Sequence, residues 1–197
     1  MFKSRSITDD YVWDSGLHVF PTCPFKNQYK NKILLVPITL MFLARKPFNT
    51  EYLLLSKYKE DDDAIVIDDD YCVPEQEATV GSVEAKNDCP PEYNVSIHKH
   101  PAGVDDFSLT DWENIIQNND INILIVNGKI SKIIMRKKMP CGEYLAFEVP
   151  HENIILYSPT KNINAVKKKA KILYNEIKKK AKIQTTYLYG YKSRSIF

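Results

Sequence analysis

Apolar and polar positions alternate with clear changes of period along this chain. In the run ILLVPITLMFLARK, beginning at Ile33, apolar residues follow Pro37 at helical spacing. Proline suits the first turn of a helix and Pro47 ends it, so a short buried helix is predicted. The apolar run after Glu51 predicts a buried strand over residues 51–55, with residues 64–67 as its hairpin partner beyond an acidic turn. Residues 71–91 are polar and loop-like, with room for one short strand at 79–83. Residues 93–100 alternate as a strand does, and Pro101 stops them.

A helix is predicted over 105–117, because Ser108-x-x-Asp111 matches a capping box ahead of Trp112, Ile115 and Ile116. Strands follow at 121–126 and 129–135, joined at Asn127-Gly128, a strong hairpin turn signal. Further strands are expected at 142–149 and 153–157. Residues 163–183 repeat Ala165, Ala170, Ile172, Leu173, Ile177 and Ala181 among lysines, which predicts an amphipathic basic helix. The expected fold is α+β, a central, mostly antiparallel sheet flanked by helices, with terminal extensions. Residues 1–31 read as an irregular N-terminal arm, 32–160 as the body, and 161–197 as a basic C-terminal helix and tail.

Composition agrees with one globular domain: 197 residues, 44% hydrophobic, 26% charged. A net charge of +2 is too small for the whole chain to be read as a nucleic-acid binder. The acidic clusters at Asp61–Asp63 and Asp68–Asp70 and the lysines of 161–182 read as solvated surface. The first residues lack the features of a secretory signal, and the longest apolar run, 33–43, is too short for a membrane span, so a cytoplasmic protein without a membrane partner is expected. Cys23, Cys72, Cys89 and Cys141 form no CxxC pair and read as buried thiols.

The segment HKHPAGVDDFSLTD carries the candidate chemistry. Histidines at i and i+2 of a strand share one face, so His98 and His100 can reach one ion. Asp111, in the first turn of the next helix, can complete a two-nitrogen, one-oxygen set of the kind hydrolytic zinc sites use. Each half has a bland counterpart, a pair of satisfied histidines and a plain helix cap. Together they arise by chance in roughly one of several thousand chains of this length. His18 and His151 read as surface residues.

The pattern His-x-His-x7-Ser-x2-Asp resembles the motif of JAMM (MPN-plus, JAB domain) zinc metalloproteases. So does the upstream stretch LVPITLMFLARKPFNTEYLLL, a helix leading into a strand that opens with Glu51, and the VEA tripeptide at 83–85. The match spans about residues 33–135. It departs from the family at Leu53 and Leu54, where a glycine is usual, and at Lys99, where serine usually separates the histidines.

The resemblance implies a deaminase-like α+β domain over 32–160 that binds Zn2+ through His98, His100 and Asp111. It implies Glu51 as general base and then acid, with Glu75, Glu77 and Glu84 as rivals, and Ser108 as a donor to the developing oxyanion. Its members most often cut peptide or isopeptide bonds after the tail of ubiquitin or a ubiquitin-like modifier, which adds a strand to an edge near the cleft. Here the loop 72–91 would line that cleft. The alternatives are a JAB-family processing hydrolase with another substrate and a non-catalytic scaffold subunit.

Overall fold

A computed structural model of the chain describes residues 31–86, 88–116, 118–138 and 144–183. The expected N-terminal arm therefore lies outside the described residues except for Asn31, as do His18, Cys23 and Cys141. Eleven strands are described: β1 (Ile33–Pro37), β2 (Tyr52–Glu60), β3 (Ala64–Cys72), β4 (Gln76–Ala78), β5 (Val83–Ala85), β6 (Val95–Lys99), β7 (Ile121–Val126), β8 (Lys129–Lys138), β9 (Tyr144–Glu148), β10 (Ile154–Tyr157) and β11 (Ala181–Ile183). The helices are α1 (Thr39–Ala44), α2 (Leu109–Asp111) and α3 (Ile163–Lys180), and a π-helical turn, Trp112–Ile116, follows α2 directly.

The fold is α+β. Eight strands form one sheet in the order β10-β1-β3-β2-β6-β7-β8-β9, and three form a smaller sheet, β11-β4-β5. The large sheet is mixed, because β1 runs parallel to both β10 and β3 and β6 runs parallel to β7. Four of its seven pairings are antiparallel, so the expected antiparallel character holds only by a small majority. Two of the three parallel pairings come from β1: residues 33–37 enter the sheet as a strand, and the helix begins only at Thr39. Pro37 is the last residue of that strand as well as the stop before the helix.

Two apolar clusters flank the sheet. The larger gathers Leu34, Leu54, Ile97, Ile123, Ile125 and Ile133 with Leu40 and Leu43 of α1 and Ala170, Leu173 and Ile177 of α3. The smaller gathers Leu124, Val126, Ile134 and Ala146 with Phe107 and Ile116. Alternation along β7 sends odd positions to one and even positions to the other. The basic helix is thus anchored in the main core: most of its lysines face outward, Lys169 and Lys180 reach back to Asp69 and to the Val73 carbonyl, and each fully buried aliphatic side chain contributes about 1.5–3 kcal/mol.

Asn127 and Gly128 take positive φ, 51° and 73°, the geometry a two-residue hairpin needs. The helix expected over 105–117 starts later, at Leu109, and changes to π geometry after Asp111. The polar segment 71–91 holds two strands, β4 and β5, and the strand expected at 79–83 is largely their turn. Residues 181–183, expected to be helical, pair with β4 instead.

Cys72 and Cys89 form a disulfide with Cα atoms 6.0 Å apart. This corrects the reading of both as free thiols: the chain leaves β3 into the β4–β5 hairpin and returns before β6, which brings together cysteines 17 residues apart. Among the described residues no helix is long and apolar enough to cross a membrane.

Lys32 donates to Glu60 at 2.8 Å, and Lys137 of β8 reaches the same carboxylate. Burial raises the Glu60 pKa, but the two ammonium groups outweigh it and hold the carboxyl below its ordinary value. A depressed carboxyl stabilises the fold above its unfolded pKa and loses that contribution as pH falls through the folded value. The melting temperature of wild type should therefore exceed that of Glu60→Gln near neutral pH, with the gap closing below about pH 4. A gap independent of pH would show that the charge on Glu60 does not matter.

Candidate metal centre

Strand β6 lies between β2 and β7, and its register sets His98 opposite Leu53 and Leu124. Val95 and Ile97 enter the larger core. Ser96 and His98 therefore point to the other face, where Ser96 donates to Asn122 at 2.6 Å. His100 follows the strand, held by its backbone N–H on the Ile125 carbonyl. Both imidazoles are buried, and their rings meet edge-on at 4.6 Å.

Two carboxylates close on this pair. Glu51 stands immediately before β2, its N–H bonded to the Thr79 carbonyl, and its Oε2 lies 3.2 Å from His98 Nε2. Asp111 approaches from α2, with Oδ1 at 3.2 Å from His98 Nδ1 and Oδ2 at 3.2 Å from His100 Nε2. His98 thus lies between two buried carboxylates, one at each nitrogen. His100 Nδ1 lies 3.3 Å from the Val104 carbonyl and Nε2 3.2 Å from Asp111 Oδ2, so the ring can donate to either oxygen according to its tautomer.

The capping box places Asp111. Ser108 Oγ accepts from the Asp111 N–H, while Asp111 Oδ2 accepts from both the Ser108 N–H and its hydroxyl at 2.7 Å. The one hydroxyl proton of Ser108 goes to the carboxylate, so here the serine orients Asp111.

Burial favours the neutral ring of His98, yet Asp111 and Glu51 overcome it and raise its pKa. For Asp111, burial pushes the carboxyl up, but the adjoining imidazoles of His100 and His98 and the Ser108 hydroxyl prevail and hold it far below the usual carboxylate range. The site therefore prefers a positive charge between its acids.

Ligand atoms of Glu51, His98 and His100 lie within 4.8 Å of one another, and this buried cluster can hold a metal ion. The chemistry fits: imidazole and carboxylate donors together suit zinc. His98 Nδ1 is buried with no hydrogen bond, because Asp111 Oδ1, though close, is out of line. Glu51, His98, His100 and Asp111 adjoin one another here, but the mutually close set is Glu51, His98 and His100: it takes in Glu51, which the sequence cast as base, and leaves out Asp111, which the sequence cast as the third ligand.

The rivals lie elsewhere. Glu77 and Glu84 are exposed opposite one another on β4 and β5, and with Glu75 they line a cavity of about 210 Å³ beside Lys86 and Lys182. His151 is exposed in the turn before β10. No protein-family model matches the chain, and no curated protein matches it.

The chain should bind about one zinc, lost in His98→Ala and in His100→Ala and kept in His151→Ala. Elemental analysis after zinc loading checks this; full zinc in both His98→Ala and His100→Ala would remove the site. Ser108→Ala should lower stability by about 1 kcal/mol and zinc affinity by roughly ten- to a hundredfold, since it frees the Asp111 carboxylate. A competition titration reads that change, and unchanged affinity with reduced turnover would instead favour the oxyanion role.

Proposed function

We propose that the protein is a zinc-dependent isopeptidase or peptidase of the JAMM type, acting on conjugates of ubiquitin or a ubiquitin-like modifier. The observation that carries this reading is the buried meeting of His98, His100, Asp111 and Glu51, drawn from three separate segments. Buried acids and imidazoles are costly to keep together, and a dication offsets that cost. A purely structural role for this sheet position would be filled more cheaply by aliphatic side chains.

In this reading His98, His100 and Asp111 hold Zn2+. When bound, the ion lowers the pKa of a water and polarises the scissile carbonyl. Glu51 accepts the water's proton and returns it to the leaving nitrogen. Its carboxylate suits that shuttle, because the Thr79 carbonyl fixes its backbone and His98 orients its Oε2. Ser108 orients Asp111, and as an oxyanion donor its hydroxyl would have to turn away from Oδ2.

Strand β5 supports a tail-binding cleft. It pairs with β4 on one side and with no strand on the other among the described residues, so its ladder groups are open to an extended peptide. The same hairpin carries Thr79, the partner of Glu51.

Glu51→Gln keeps the side chain's shape but cannot move protons. It should retain zinc while cleavage of linear and isopeptide-linked diubiquitin falls by several orders of magnitude. Loss of zinc in this variant would make Glu51 a ligand instead, and undiminished cleavage would remove it from the reaction.

A further inference from the structure

We infer that Lys99, the residue between the two histidines, is a positioning residue that locks the backbone from which Glu51 projects. The inference rests on the hydrolase reading for its consequence in turnover, and on geometry alone for the positioning itself. By alternation along β6, Lys99 points to the face opposite His98, where the chain between α1 and β2 passes. Its Nζ donates to the carbonyl of Phe48 at 2.6 Å and to that of Thr50 at 3.1 Å. The second of these residues is joined directly to Glu51.

The chemistry explains why a lysine stands there. Residues 45–51 belong to neither helix nor strand, so their inward carbonyls have no ladder partners. An ammonium group has three donors and can hold two carbonyls at once, with charge-assisted bonds. Lys99 is half-buried and makes no ion pair within 4.0 Å among the described residues, so these carbonyls are its main compensation for leaving water.

Neighbouring contacts complete the clamp. The Tyr174 hydroxyl of α3 donates to the Pro47 carbonyl at 2.6 Å, and the Phe48 ring packs edge-on against Tyr52 and Tyr174. The Glu51 N–H is held by Thr79. Three carbonyls out of four successive residues, 47, 48 and 50, are thereby tied to two different elements immediately before the carboxylate. Rate depends steeply on such placement: a shift of about 1 Å can cost about a hundredfold.

The test compares wild type, Lys99→Met, Lys99→Gln and Lys99→Arg as zinc-loaded full chains. It reads amide hydrogen exchange over residues 48–51, zinc content, and kcat and KM on isopeptide-linked diubiquitin. Lys99→Met should exchange the Glu51 amide about tenfold faster or more and keep its zinc. Its kcat should fall by about a hundredfold with KM within about twofold. Lys99→Gln, which can still serve one carbonyl, should fall between, and it carries the test if Lys99→Met does not fold. Lys99→Arg should restore most of the protection and turnover.

Unchanged exchange at Glu51 would overturn the inference, as would a loss of melting temperature with kcat intact. If wild type cleaves no conjugate, the hydrolase reading fails, and the exchange rates alone decide whether Lys99 fixes Glu51.

Discussion

The period-two alternation of β6 is the constraint on which the rest depends. With Val95 and Ile97 locked into the larger core, Ser96 and His98 have only the opposite face, and Lys99 has only the near one. A one-residue slip would send isoleucine toward the carboxylates and histidine into the aliphatic core. Pairing on both sides, with β2 and β7, prevents it. One register thus fixes the imidazole of His98 between its two carboxylates, its neighbour His100 and the lysine behind them.

That register also decides where the electrostatic strain lies. His98 receives a carboxylate at each nitrogen, one from the head of β2 and one from a helix cap some dozen residues downstream. The opposite shifts in the two partners, His98 upward and Asp111 downward, express the same demand for positive charge in a buried place. A proton can meet that demand and so can a dication, so the two compete and metal affinity should weaken on acidification. The small sheet answers a different need. Gln76 accepts from the Leu53 N–H and donates to the Leu53 carbonyl, extending the ladder of β2 by a side chain and holding the β4–β5 hairpin beside Glu51.

The candidate site was legible because its signals are local. His98, His100, Ser108 and Asp111 occupy one short segment, and strand and cap geometry follow from the spacing. Glu51 was reached through the apolar run behind it and through resemblance, and it meets His98 as expected, though close enough to count among the metal donors. Less was visible where pairing is remote. β1 was assigned to no element, because ILLV carries no alternation and the helix was expected only after Pro37, and only its two parallel neighbours define it as a strand. β11 continues a helical pattern and becomes a strand through β4 alone. The Cys72–Cys89 bond depends on the path of a hairpin hidden in a polar segment. The role of Lys99 was likewise invisible, since its partners are backbone carbonyls some fifty residues away in sequence.

The central claim is a zinc ion held by these imidazoles and carboxylates. X-ray absorption at the zinc edge of the loaded protein tests it most directly. The account predicts two imidazole nitrogens with oxygen completing the shell, at about 2.0–2.2 Å, and no sulfur. Sulfur scattering at about 2.3 Å, or a shell without imidazole, would contradict it.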